Sequence, residues 1–313
     1  MTVTLATRSG QEPATVVTTH RRDRRRWRNA GAVAFFLLPS AIPLVLFVLV
    51  PMATSAWVSL HRWNLITPMS WVGLGNYRDL LASPDTWAAF GHTLAYVAGY
   101  LPLVYVGGLV LALALNTGLR GRNLFRTVYF VPVVTSWVVV ALTWRWLLNP
   151  ANGPVNTLLA HLGIQGPGWW SDPAWAMPSV ILASAWKDLG FVMVLLLAGL
   201  QAIPQEYLDA ARVDGASAWQ RFRHVTLPLL RPTILFVLVT GTIASFQVFT
   251  FVSVLTEGGP LHATDVAVYR IYQEGWQFLR FGTASAMSLV LAVLLGGVAW
   301  LEFRWLGRRV ELV

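Results

Sequence analysis

The chain has 313 residues, enough for two soluble domains, yet 56% of them are hydrophobic and only 12% charged. That composition excludes an ordinary water-soluble fold and makes lipid the expected solvent. The net charge of +9 would suggest nucleic acid in a soluble protein, but the arginines gather on alternate sides of apolar runs, so the charge reads as topology and nucleic acid is excluded as a partner. No cysteine is present, which rules out a disulfide framework and a thiolate metal site. The histidines at 20, 61, 92, 161, 224 and 262 lie far apart, none in a metal-binding pairing, and no metal site is expected.

In chain order, residues 1–28 are polar and rich in Thr and Arg, and are expected to form a disordered cytoplasmic tail. Residues 29–313 form a single membrane domain. Six apolar stretches can each cross a hydrocarbon core of about 30 Å: 30–52, 92–115, 127–148, 178–200, 233–255 and 283–305. The first is too long for a signal-peptide core and lacks a small-residue cleavage site after it, so it is expected to be retained. Pro39, Pro43 and Pro51 are expected to kink it.

With the N-terminus inside, the clusters at 20–28, at Arg120, Arg122 and Arg126, at Arg212, Arg221, Arg223 and Arg231, and at Arg304, Arg308 and Arg309 all face the cytoplasm. Only Arg62, Arg78, Arg270 and Arg280 fall in outer loops, as the positive-inside rule requires. Both termini are then cytoplasmic, in a multi-pass protein of the cell membrane. The outer loop 149–176 carries Trp169, Trp170 and Trp175 without Lys or Arg, which suggests a segment at the interface. Arg145, between Trp144 and Trp146, is expected to snorkel to the headgroups.

Between the fourth and fifth spans, residues 203–232 are too polar for lipid and too patterned for a linker. Pro204 can open a helix, with Glu206 and Asp209 near its positive end. Tyr207, Ala210, Ala211 and Asp214 fall at helical spacing on one face. Gly215 breaks that helix, since glycine takes a left-handed turn without steric penalty. Ser217 with Gln220 forms a capping box for a second short helix carrying Trp219 and Phe222 on one face, and Pro228 and Pro232 mark its exit into the fifth span. Two short helices on a glycine turn make a knob suited to a groove in a partner; a hairpin lying at the membrane interface is the alternative.

The segments DAARVDGA (209–216) and VTLP (225–228) resemble the EAA loop of ABC-importer permeases. Around them, GLGNY at Asn76, RGRNLFRTVYFVP ending at Pro132, WKDLG at Trp186, LTEGGP ending at Pro260 and FGTASAMS from Phe281 resemble the larger permease subunit of the carbohydrate importers, the maltose and glycerol-phosphate type. The resemblance implies an all-α, six-helix, type I importer permease. It further implies a homologous second permease in a heterodimer, a dimer of separate ATPase subunits, and an extracytoplasmic binding protein that delivers a sugar.

Glu206, Asp209, Ala210, Ala211, Asp214, Gly215 and Ala216 would then meet the ATPase. Asp209 stands where the family usually has Glu, so its expected ion pair is weakened or passes to Glu206. Gly258, Gly259 and Pro260 would meet the binding protein, unless the glycines only stop a helix.

The engine must lie elsewhere. The single lysine, Lys187, follows Trp186 in an apolar span, and no P-loop exists, so ATP is bound by partner subunits and this chain carries no cofactor. Neither a nucleophile–base pair nor a carboxylate dyad appears, and an enzyme is disfavoured.

Ser184, Lys187, Asp188 and Phe191 share one face of the fourth helix, and Gly241, Ala244, Ser245 and Val248 one face of the fifth. In carbohydrate permeases these helices line the path, with Val133 and Trp137 matching from the third and Gln247 a secondary candidate. A packing seam is the alternative for the fifth helix. Adjacent Lys187 and Asp188 nearly cancel at a distance, which favours a neutral sugar over a sugar phosphate or glycerol phosphate. A secondary transporter is the rival class, but no inverted repeat is evident.

Overall fold

The computed structural model describes residues 35–117 and 121–307. The arginine-rich tail, the start of the first span, Arg120, Arg308 and Arg309 lie outside them. The chain divides into two compact units, 1–54 and 55–313. In the first unit the described part is helix α1 (Phe35–Val58), which crosses the unit boundary and loosens into a π-helical turn at Val45–Leu49. Its side chains point outward, with Phe36 and Phe47 each 78% exposed. A helix apolar on all sides and this bare requires lipid or another chain around it.

The second unit begins with a short antiparallel hairpin, β1 (His61–Arg62) and β2 (Ser70–Trp71), in the register His61 with Trp71. Helix α2 (Gly75–Ala82) follows, then the long α3 (Pro84–Asn116), opened by Ser83, whose hydroxyl accepts from the Thr86 amide. The buried Asn76 of GLGNY donates from Nδ2 to the Ser59 and His61 carbonyls at 2.8 and 2.9 Å, and Gly282 of FGTASAMS packs against the same His61 carbonyl. Two motifs separated by most of the chain therefore clamp one hairpin.

The third span is the main departure from expectation. Instead of one helix over 127–148, α4 (Arg122–Val134) and α5 (Trp137–Leu147) meet at 101° across extended Thr135 and Ser136. The residues at the break are themselves apolar or small, so the hydropathy of the run gives no sign of it. Counted together with this bent pair, five straight spans make six. Beyond α5 come the short α6 (Pro154–His161) and α7 (Pro173–Gln201), capped by the Asp172 carboxylate accepting from the Ala174 amide at 2.9 Å.

Helix α8 (Gln205–Val213) begins one residue after Pro204, which serves as its N-cap rather than its first turn. The next helix corrects a second expectation. The capping-box helix is no separate element but the start of α9 (Ala218–Phe246), which runs through a π-helical turn at Phe222–Thr226 and past Pro228 and Pro232 without stopping. Pro228 lies two residues past the end of the π-turn and Pro232 one turn later, and neither ends the helix, because the π-turn already rearranges the hydrogen bonds at its end. The chain ends its described part in α10 (Ala267–Tyr272) and α11 (Phe281–Gly307).

The core runs down the centre of α3, α7 and α9, with Val104, Ala112, Val180, Met193, Leu196 and Leu230 all at most 1% exposed. At Gly190 a Cβ would collide with the Tyr129 carbonyl, so only glycine lets α4 lie directly on α7. The outer rims of α4, α5 and α11 stay bare and apolar, as a lipid-facing surface must.

Candidate functional site

Between α3, α5, α7 and α9 lies a cavity of about 470 Å³, within the size range of small-molecule sites. Trp137, Asp188, Phe191, Gly241, Ala244, Ser245, Gln247 and Val248 line it. The stripe on the fifth helix is thus a cavity wall at those positions. Gln247, off the stripe in sequence, reaches the cavity because α9 ends at Phe246 and the chain turns there.

Three expected path residues are elsewhere. Lys187 is 1% exposed and its Nζ donates to the carbonyls of Pro132, Val133 and Thr135 at 2.9, 3.1 and 2.9 Å. Ser184 is fully buried and donates to the Val180 carbonyl at 2.6 Å. Val133 takes part through its carbonyl, held by Lys187, and not through its side chain. Residues three apart on a helix do share a face, but the neighbouring helices pack closely enough to bury the upper part of that face, which spacing alone cannot reveal.

The sequence missed Tyr96 and Tyr100 on α3, Val192 on α7, and Val237, Thr240, Phe249, Thr250 and Phe251 on and beyond α9, which complete the lining. Tyr96 and Tyr100 stack with centroids 5.2 Å apart, and Tyr100 donates to Asp188 Oδ2 at 2.6 Å. Their spacing of four was visible, but nothing in the sequence paired α3 with Asp188. Among the described residues, no Lys, Arg or His lines the cavity.

A second feature is the segment from α8 to the start of α9. Gly215 has φ +77, a left-handed value that glycine takes without strain. The capping box is complete, with Gln220 Oε1 accepting from the Ser217 amide at 2.7 Å and Ser217 Oγ from the Gln220 amide at 3.3 Å. Asp214 is the C-cap of α8 rather than part of its helical face. Glu206, Asp209, Ala210, Asp214 and Gly215 are exposed, Ala211 and Ala216 half-buried. Asp209 pairs with Arg212 at 2.5 Å on the surface, a bond that adds little stability. The segment also bares Trp219 at 68%, expected on one face of the second helix, and Val213 at 88%, which the sequence reading did not single out.

At the far end of α9, a π-helical turn at Val252–Thr256 leads into the turn with Gly258, Gly259 and Pro260. Gly258 is buried against Tyr269, and the exposed tip is Leu261 and His262 instead. Arg145 does not snorkel freely. It donates to the Val254 carbonyl at 2.8 Å and to Glu257 Oε1 at 2.9 Å, over the Trp170 ring at 5.3 Å, because carbonyls at the end of a helical turn attract a cation. Close by, Arg270 joins Asp85, Asp265 and Glu274 at 3.1, 3.4 and 3.3 Å. Burial lifts the Asp265 carboxyl above the usual carboxylate range, against the opposing pull of Arg270.

A bundle of membrane-crossing helices around a largely apolar cavity with a few polar groups, with a helix–glycine–helix segment bare at one end, defines a transport permease rather than an enzyme. Residues 104–311 match the binding-protein-dependent transport system inner membrane component family, and the chain belongs to that family. It is a multi-pass membrane protein and the non-catalytic permease subunit of a binding-protein-dependent ABC importer.

The chain is 34% identical to the trehalose/maltose transport system permease protein MalF of Thermococcus litoralis, over 86% of this chain and 91% of that one. To the sn-glycerol-3-phosphate transport system permease protein UgpA of Yersinia pestis it is 33% identical, over 88% and 94%. A bacterial alginate ABC transporter, crystallised with its alginate pentasaccharide-bound periplasmic protein, contains a chain that superposes with a TM-score of 0.82 at 25% identity, covering 93% of this chain and 99% of that one.

Proposed function

We propose that this subunit conducts an uncharged mono- or oligosaccharide through the cavity between α3, α5, α7 and α9, driven by ATP hydrolysis in separate subunits. The lining carries this reading. Tyr96, Tyr100, Trp137 and Phe249 offer aromatic faces, Thr240, Ser245, Gln247 and Thr250 offer hydroxyls and an amide, and Asp188 is the one charge among the described lining residues. Aromatic faces cover the apolar face of a sugar ring, while a carboxylate and hydroxyls exchange hydrogen bonds with its hydroxyls. A phosphate or a uronate would meet Asp188 with no cation in the described lining to pair with it, a like-charge encounter that disfavours binding. That contrast matters because a relative named for glycerol phosphate is 33% identical to this chain, against 34% for the one named for trehalose and maltose.

The bare segment 205–226 supports an ATPase groove as its occupant. Val213, Trp219 and Tyr207, the last 55% exposed, are apolar anchors on a segment rich in arginine, and the positive-inside rule gives that segment and both termini a cytoplasmic position. Two such ATPases, a second homologous permease and an extracytoplasmic binding protein complete the reading, the last meeting the turn that ends at Leu261 and His262.

The test is uptake by proteoliposomes holding this chain with the permease, ATPase and binding-protein products of adjacent genes. A panel of radiolabelled neutral sugars, including maltose and trehalose, is set against sn-glycerol-3-phosphate and alginate oligosaccharides. ATP-dependent uptake confined to neutral sugars is expected; uptake of either anion would overturn the reading.

A further inference from the structure

The two halves of the broken third span are held by a residue of another helix. Where α4 ends, among the described residues the Val133 and Thr135 carbonyls meet no backbone amide and that of Pro132 meets only the Thr135 amide at 3.3 Å, since the chain leaves the helix at Thr135 and α5 departs at 101°. Such carbonyls, removed from water, must find donors elsewhere. Lys187, the sole lysine of the chain, supplies them. Its ammonium has three hydrogens and three carbonyls within 3.1 Å, those of Pro132, Val133 and Thr135. Two of these belong to α4 and the third to the break itself. The ammonium also sits at the negative end of the α4 dipole, 1% exposed.

Trp137, the first residue of α5, lies with its ring 4.6 Å from the same nitrogen and packs edge-on against Phe251 at 5.5 Å. That ring forms part of the cavity wall. The residue after Lys187 faces the other way: Asp188, turned about 100° around α7, lines the cavity with Tyr100. Adjacent residues of one helix thus serve the two sides of the wall, one behind it and one in it.

We propose that Lys187 is a positioning residue that sets the angle of the α4–α5 break and through it seats the Trp137 ring as a wall of the cavity, without facing the cavity itself. Three carbonyls converging on one compact cation fix the break more narrowly than packing of Val133 and Val134 could, because hydrogen bonds to a buried charge tolerate little displacement. The aromatic cation contact then ties the ring to the same point. Gly190, one turn further along α7 and pressed against the Tyr129 carbonyl, prevents α4 from sliding to a substitute arrangement. The proposal concerns the wall and stands whatever solute the cavity takes.

The absence of cysteine makes the test direct. Single cysteines are placed at Thr135, half-buried at the break, and at Thr250, half-buried on the wall beyond α9, and their modification by fluorescein maleimide is timed in the assembled transporter complex. Lys187→Met is expected to speed modification at position 135 at least tenfold while leaving position 250 within twofold. Lys187→Arg, which keeps charge and donors, is expected to restore most of the protection at 135. Equal rates at 135 in all three backgrounds would overturn the proposal. So would acceleration at both positions alike, which would mean general loss of packing rather than release of the break.

Discussion

Tyr100 on α3 donates its phenolic hydrogen to Asp188 Oδ2 on α7 across 2.6 Å. The bond joins the two most extensively packed helices at the wall of the cavity and orients the carboxylate, so that its remaining lone pairs are available to a bound solute. Tyr96, stacked on Tyr100 within 15° of parallel, keeps that phenol from rotating away.

Replacing Tyr100 by Phe retains the ring and removes the donor. A hydrogen bond to a charged group contributes about 1.5–3 kcal/mol, so the carboxylate loses its fixed orientation. Initial uptake rates in proteoliposomes should fall on the order of tenfold, with the protein still inserted and assembled. Asp188→Ala should abolish uptake; unchanged uptake in either variant would remove the carboxylate from the path.

Gly215→Leu tests the bare turn. Nothing lies within 4 Å of a Cβ built there and φ is +77, so the substitution acts through the backbone, at about 1–2 kcal/mol for a left-handed non-glycine residue, and through a new side chain on the docking surface. Membrane insertion should be normal, with sugar-stimulated ATP hydrolysis and uptake both lost. Uptake at the parental rate would show that the turn does not transmit coupling.

Arg145 and Glu257 form a pair that can be reversed. Arg145→Glu should weaken stimulation of ATP hydrolysis by the binding protein, because the turn at 257–262 loses its tie to α5. The double variant Arg145→Glu with Glu257→Arg should recover part of it, less than fully since the Val254 carbonyl loses its donor. No recovery would mean that the carbonyl contact alone holds the turn.

Asp265 makes stability depend on pH. Its folded carboxyl titrates above the ordinary aspartate value of 3.8 because burial outweighs Arg270, His262 and His92, so the folded state keeps a proton that the unfolded chain has already released. Stability must then fall as pH rises from that value through the folded one. The Tm of Asp265→Asn in detergent should vary less with pH across this window than that of the parent. Equal slopes would contradict the sign.

Much of this architecture was legible because lipid imposes simple rules. Straight spans such as α3, α7 and α11 follow from length and hydropathy, and the Gly215 turn with its Ser217–Gln220 cap follows from local backbone chemistry. The break at Thr135 was not legible, since its orphan carbonyls are met by Lys187, a residue distant in sequence. The same tertiary partner hid the role of Lys187 itself, which charge reasoning placed in the path beside Asp188. Continuity of α9 past Pro228 and Pro232 escaped for a related reason: a π-turn absorbs prolines that usually end a helix. Tyr96 and Tyr100 were visible as a pair at helical spacing, but only packing of α3 on α7 turns them toward Asp188.

The central claim is that the exposed segment between α8 and α9 is the place where an external motor grips this bundle. A single cysteine in place of Val213, 88% exposed, probes it in a chain that has no other. Cross-linking in membrane vesicles should join this position to an ATPase subunit, and a membrane-impermeant maleimide should reach it in inverted vesicles but not in intact cells. Labelling from outside intact cells, with no ATPase captured, would contradict the account.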